Sequence, residues 1–193
     1  PFVNLGIHTP YELLNASGSL ETWCRKAQWL GHTAAGIADR NTMAATLNIQ
    51  KECSKAGLKH IFGYTLTMQH EEERVEVKVY ALTDEGLHNL LRIQRAVMVD
   101  SERHVLAYGR LLACAAGCVL VFATCSVYWM TAHPGHLKRI RQGFEAVYYQ
   151  VDGSEYKADR IDRERLLALQ HYFEKCYDAA TDSFTVEPIL ISD

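Results

Sequence analysis

His8, Asp39 and Asp193 are the residues whose types could do chemistry together, one imidazole and two carboxylates, each at the C-terminal end of a predicted strand. Such donors can hold a divalent metal, which lowers the pKa of a bound water and readies it to attack a phosphate ester. The same residues have plainer uses. A histidine at a strand end commonly packs or hydrogen-bonds structurally, and Asp39, just before a helix, can serve that helix's N-terminus. Arg40-Asn41, directly after Asp39, and Thr65, at the end of a third strand, complete the set of strand-end residues.

The elements that would position this set follow from periodicity. Short apolar runs alternate with helical spacing, the pattern of βα units around a parallel sheet. Residues 2–8 read as a first strand, and Ser19 as the N-cap of a helix with Trp23, Ala27 and Leu30 on its apolar face and Gly31 as its stop. Thr33 to Ala38 is a second strand; Ala45, Ile49, Cys53 and Ala56 mark one face of the next helix, and Leu58 to Leu66 contains a third strand. His70 to Glu73 reads as a solvated loop. Arg74 to Tyr80, whose valines alternate with charges, reads as a strand with one wet face, paired antiparallel with the region before the loop. Leu87, Leu90, Leu91, Gln94 and Val97 keep helical spacing; Val119 to Ala123 and Ala146 to Val151 are strands; Leu166, Leu169, Phe173 and Cys176 mark a helix entered at Asp162; Pro188 opens a last strand. No glycine-rich phosphate loop follows any strand, so an α/β barrel is favoured over a doubly wound nucleotide-binding sheet. In a barrel, functional side chains gather at the C-terminal ends of the strands.

Composition bounds the alternatives. The 193 residues, 48% hydrophobic and 22% charged, fit one globular domain over 1–193 and exclude disordered, collagen-like or coiled-coil chains. With 20 basic and 23 acidic residues the net charge is −3, which excludes bulk attraction to phosphate backbones as the main activity. Six scattered cysteines with no C-x-x-C read as reduced thiols in a cytoplasmic protein, and the spacing of Cys114, Cys118 and Cys125 does not match a zinc knuckle. The charge-free stretch from Leu111 to Ala132 is long enough for a membrane span, but Gly117 divides it into a helix end and a strand-length apolar run, so a buried strand is expected and no membrane partner. His133-Pro134-Gly135-His136 reads as a turn before a basic helix, with Lys138, Arg139 and Arg141 on a solvated face. The opening on Pro1, without the basic lead of a signal peptide, suggests a piece of something larger.

At the strand ends the chain resembles a known family. Phe2-Val3-Asn4-Leu5-Gly6-Ile7-His8-Thr9-Pro10-Tyr11-Glu12-Leu13-Leu14-Asn15, Ala35-Gly36-Ile37-Ala38-Asp39-Arg40-Asn41, Ala56 to Gly63 and Val79 to Leu91 are similar to the opening strands and helix of the PHP (polymerase and histidinol phosphatase) domain of the bacterial DNA polymerase III alpha subunit. The resemblance is close over residues 2–98, loose to 143 and moderate to 193. It implies a PHP-type distorted β/α barrel of about seven strands, TIM-like and truncated at its C-terminus.

Departures from the family pattern bear on activity. Active members carry His-x-His where this chain has Gly6-Ile7-His8, an Asp-His corner where it has Asp39-Arg40, a glutamate where it has Thr65 and an aspartate where it has Asn15; Asn4 stands where a histidine commonly lies. A guanidinium about 4 Å from a divalent ion costs roughly 8 kcal/mol at an effective dielectric of about 20. Arg40 is therefore expected to replace the metal charge, paired with Asp39 or Asp193, leaving His8, Asp39 and Asp193 as a vestigial metal set and no catalytic residue. The resemblance then implies a non-catalytic structural and docking module in DNA replication. Its partners would be the remainder of the polymerase alpha subunit and a proofreading exonuclease subunit, with DNA met only through the full-length protein. No cofactor is expected. The competing expectation is a Zn- or Mn-dependent phosphoesterase or 3′–5′ exonuclease using His8 and Asp39.

Overall fold

Two stretches rich in β-branched and aromatic residues pair with each other and set the frame. In the computed structural model, which describes residues 3–12, 18–151 and 186–190, they form a long antiparallel hairpin. In chain order the elements are α1 (Leu20–Trp29), β1 (Ala34–Ile37), α2 (Thr46–Lys55), β2 (Lys59–His70), β3 (Glu73–Ala81), α3 (Asp84–Met98), β4 (Val105–Ala107), α4 (Tyr108–Leu112), β5 (Cys118–Phe122), α5 (Val127–Ala132), α6 (Pro134–Gly143), β6 (Ala146–Val151) and β7 (Glu187–Leu190). The sheet runs β1-β2-β3-β5-β6-β7, with β4 beside β2. β1 pairs parallel with β2, β3 antiparallel with both β2 and β5, and β6 parallel with both β5 and β7.

The two faces of this sheet differ. Val75, Val77 and Val79 point to the helical side and are fully buried with Leu90, Ile93, Leu120 and Trp129. Each such side chain contributes about 1.5–3 kcal/mol of burial. On the other face Leu5, Ile61, Tyr80, Val119, Val121 and Tyr148 close around one another, so the sheet curls into a partial barrel with these residues inside. The Tyr80 hydroxyl donates to the Leu5 carbonyl at 2.9 Å across that interior. Gly63 makes room for the ring: a Cβ there would lie 2.5 Å from Tyr80 and 2.6 Å from the Ile37 carbonyl oxygen. The described residues leave a mainly apolar cavity of about 430 Å³ in this interior.

Several expectations hold. Ser19 Oγ accepts from Thr22 N–H at the start of α1, and Ala45, Ile49, Cys53 and Ala56 are buried together. The charge-free stretch divides as expected into α4, the buried β5 and short helices; no described helix is long and apolar enough to cross a membrane. The five described cysteines form no disulfide among the described residues.

Others are corrected. The first strand is reduced to a bridge between Ile7 and Ile37, flanked by hydrogen bonds from Ile7 N–H to Gly36 and from Gly36 N–H to Asn4. α1 turns Leu20, Cys24 and Ala27 inward and leaves Trp23 and Leu30 exposed; in α3, Ile93 is buried and Leu91 exposed. The 70–73 loop shrinks to a tight turn, because His70 and Glu73 still pair and Glu71 takes φ 53°. The charged face of β3 is wet only over its first half: Arg74 is exposed and Glu76 partly so, but Lys78 is 1% exposed, because curling turns that end of the face into the barrel. Pro134 opens α6, so His136 lies in the first turn of a helix rather than in a loop. The helix entered at Asp162 lies outside the described residues.

Candidate strand-tip site

Directly paired residues of neighbouring strands share a face of the sheet. The Arg40↔Thr65 bridge and the Thr65↔Lys78 and Lys78↔Val121 pairs therefore run as one row across the barrel interior, at the tip beyond the apolar cavity. His8 and Asp39 reach this tip from the ends of the Ile7 bridge and of β1. Thr65 N–H donates to the Asp39 carbonyl at 3.1 Å, and the Thr65 hydroxyl donates to the Ala38 carbonyl at 2.5 Å.

The structure brings His8, Asp39 and Thr65 together, and adds Glu12, which the sequence reading quoted without a role. Donor atoms of His8, Glu12 and Asp39 lie within 4.8 Å of one another. These atoms are already engaged. Glu12 Oε2 lies 2.6 Å from His8 Nδ1 and accepts from the Arg40 backbone N–H at 2.8 Å. With Glu12 ionised, and so acceptor-only, His8 donates to it through Nδ1–H. Asp39 Oδ1 accepts from Thr9 N–H at 2.6 Å and Oδ2 from the Thr9 hydroxyl at 2.5 Å. Burial pushes the Asp39 carboxyl above its ordinary pKa, with Glu12 adding to the rise and the Thr9 bonds and His8 opposing it.

Arg40 takes a different partner from the one expected. Its guanidinium pairs with Glu76 at 2.6 Å and is 37% exposed, while its backbone serves Glu12. The buried cation is Lys78, the one Lys or Arg below a tenth exposure among the described residues. Asn4 Oδ1 accepts from Gly6 N–H at 3.0 Å, so these two positions shape the backbone leading to His8. Asn15 and Asp193 lie outside the described residues. Sequence reasoning missed Glu12, Glu76 and Lys78 as members of the site. The i,i+4 spacing of His8 and Glu12 was the visible signal for the first, and the charge alternation of β3 for the others.

Comparison with known proteins agrees with this geometry. The PHP domain model matches residues 4–186. The DNA polymerase III subunit alpha of Treponema pallidum is 39% identical over 70 residues, 36% of this chain and 6% of that protein. That of Bacillus subtilis is 27% identical over 104 residues, 52% of this chain and 9% of that protein. The matched segments thus span a tenth or less of those relatives' length. Among solved structures, a candidate metal-dependent phosphoesterase from Bifidobacterium adolescentis superposes with a TM-score of 0.55 at 16% identity, covering 88% of this chain and 82% of that one. An amidohydrolase from Chromobacterium violaceum gives 0.54 at 10% identity, covering 96% and 87%. At these identities the likeness is one of fold.

Proposed function

The chain belongs to the PHP domain family, and we propose that it is a member without metal chemistry, serving as a structural and docking module of a DNA polymerase III alpha-type protein in DNA replication. The observation behind this reading is that the acidic oxygens at the strand tips are already bonded to the chain's own donors. Glu12 takes the His8 ring and the Arg40 backbone, and Asp39 takes both donors of Thr9. A resident hydrolytic ion needs several open lone pairs and a place for water. This donor set fits that need poorly: Glu12 and Asp39 are held by internal hydrogen bonds, and Thr65 and Arg40 stand where the family resemblance implies a glutamate and a histidine. The polar tip instead ties the segment around His8 and Glu12 to β1, β2 and β3, which keeps the barrel rim in one shape.

Its partners on this reading are the remainder of the alpha subunit and a proofreading exonuclease subunit, in a bacterial cytoplasm, with DNA engaged through the whole protein. The test is hydrolysis of a phosphodiester substrate by the full-length protein with added Mn²⁺ or Zn²⁺. The expected result is turnover by the wild type no greater than by His8→Ala or Asp39→Asn. Metal-stimulated turnover that disappears in those variants overturns the reading. It would favour the second one, a metal-dependent phosphoesterase or 3′–5′ exonuclease, for which the closeness of the His8, Glu12 and Asp39 donors speaks.

A further inference from the structure

A second cluster of ligand-type side chains lies at the other end of the β2–β3 hairpin. His70 ends β2 and Glu73 begins β3; they form the last rung before the turn, so both side chains leave the same face. His133, at the junction between α5 and α6, places its Nε2 2.7 Å from Glu73 Oε2. His70 Nδ1 lies 3.9 Å from the same oxygen. One donor atom from each of the three falls within 4.8 Å of the others. His136, one helical turn from His133, stacks edge-on against the His70 ring with centroids 4.4 Å apart.

What separates this cluster from ordinary aromatic packing is its unused lone pairs. His70 is 7% exposed, and its Nδ1, like that of His136, is buried without a hydrogen-bond partner among the described residues. An orphaned buried polar atom destabilises the fold, and two in one cluster call for a common partner. Two imidazoles and a carboxylate are the donors that zinc and its neighbours in the first transition row prefer. Ligand atoms about 2.0–2.1 Å from a tetrahedral ion sit about 3.3 Å apart, and the 2.7 and 3.9 Å separations bracket that value.

We propose that His70, Glu73 and His133 form a binding site for a divalent transition metal of the zinc class, with the His136 ring packed beside it. The ion pins the hairpin tip to the α5–α6 junction. On binding, His133 gives up its Nε2–H bond to Glu73 and carries its proton on Nδ1, so that Nε2 and the carboxylate both turn to the ion. The site is independent of the strand tips, since the two share no residue.

The experiment is calorimetric titration of the metal-stripped wild-type chain with Zn²⁺, repeated on Glu73→Gln, His133→Gln and His8→Ala. One equivalent is expected in wild type and in His8→Ala. Because outer-shell partners alone cost about 10–100-fold in affinity, loss of a ligand in Glu73→Gln or His133→Gln should cost at least about 100-fold. Both replaced side chains are partly exposed, at 37% and 25%, which favours folded variants. Zinc-edge absorption of the loaded wild type needs no variant, and should show at least two imidazoles. No uptake by wild type, undiminished uptake in both glutamine variants, loss of uptake in His8→Ala, or a shell with a single imidazole would each overturn the site. None of these readouts depends on phosphodiester turnover, so the failure of one reading leaves the other standing.

Discussion

The strand tips and the hairpin tip hold the same donor types, histidine and carboxylate, each with one histidine bonded to a carboxylate, and differ in how many further internal hydrogen bonds their donors make. At the strand tips Asp39 and Glu12 accept from backbone and hydroxyl donors of Thr9 and Arg40 and pair with the His8 ring. At the hairpin tip the Nδ1 atoms of His70 and His136 are buried and have no hydrogen-bond partner among the described residues. Residue type alone therefore does not locate a metal site; the test is which donors remain unspent once the chain's own hydrogen bonds are counted. Where the family resemblance directs attention each carboxylate is held by two internal hydrogen bonds, whereas the segment read as a turn carries buried ring nitrogens with no hydrogen-bond partner among the described residues.

The largest effect expected from this contrast is zinc-dependent stability. A ligand at 100 times its dissociation constant stabilises the native state by about 2.7 kcal/mol, so Zn²⁺ should raise the urea midpoint of wild type and of Asp39→Asn, and leave Glu73→Gln where it was. A zinc response that follows Asp39 instead would invert the comparison. Next in size is Glu12→Ala, which strips the acceptor from the Arg40 N–H and the His8 ring; about 1–3 kcal/mol is expected for a buried group left unpaired. Glu12→Gln, which keeps one acceptor oxygen, should lose less in the same denaturation series, and an equal loss in both would show that charge rather than hydrogen bonding holds the rim.

Much of the frame was legible because periodicity reports burial. The α2 face at Ala45, Ile49, Cys53 and Ala56 and the antiparallel pairing of β3 were readable from spacing alone. Where the wet face of β3 ends was not, because alternation tells that two faces differ and not what each meets: Arg74 is exposed, but curling turned Lys78 into the barrel. At the site, His8 and Asp39 could be placed from their strand ends. The Arg40 partner could not, since Glu76 is 36 residues distant and the choice between it and Asp39 depends on side-chain direction. His133 and His136 were obscured by Pro134, which reads as a turn former but also suits the first turn of a helix.

A smaller effect concerns pH. Asp39 has its folded pKa raised, chiefly by burial, so the native state holds its proton more tightly than the unfolded chain does. That contribution to stability is present below the unfolded pKa and is lost as pH rises through the folded one. Wild type should therefore lose a little stability from the ordinary carboxylate range upward. Asp39→Asn, which never ionises and can still bond to Thr9, should lack that slope in thermal melts across the same pH series. A slope of opposite sign, removed by the same substitution, would mean that a cation neutralises Asp39 and that the strand tip is less self-contained than its hydrogen bonds indicate.

The smallest effect, and the sharpest on the role of Arg40, belongs to its ion pair with Glu76. The two side chains are 37% and 29% exposed, so the pair sits in partial solvent, where such bridges contribute about 0–1 kcal/mol and fade with salt. Arg40→Met keeps the apolar stem and the backbone N–H to Glu12, and should cost no more than that. A loss of several kcal/mol would instead mark the guanidinium as the partner of a buried charge, as the sequence reading expected. Zinc stoichiometry in the same variant separates two reasons for the quiet strand tip. If Arg40→Met still takes up one equivalent, the internal hydrogen bonds of Glu12 and Asp39 suffice to keep metal out; if it takes up two, the positive side chain was the barrier.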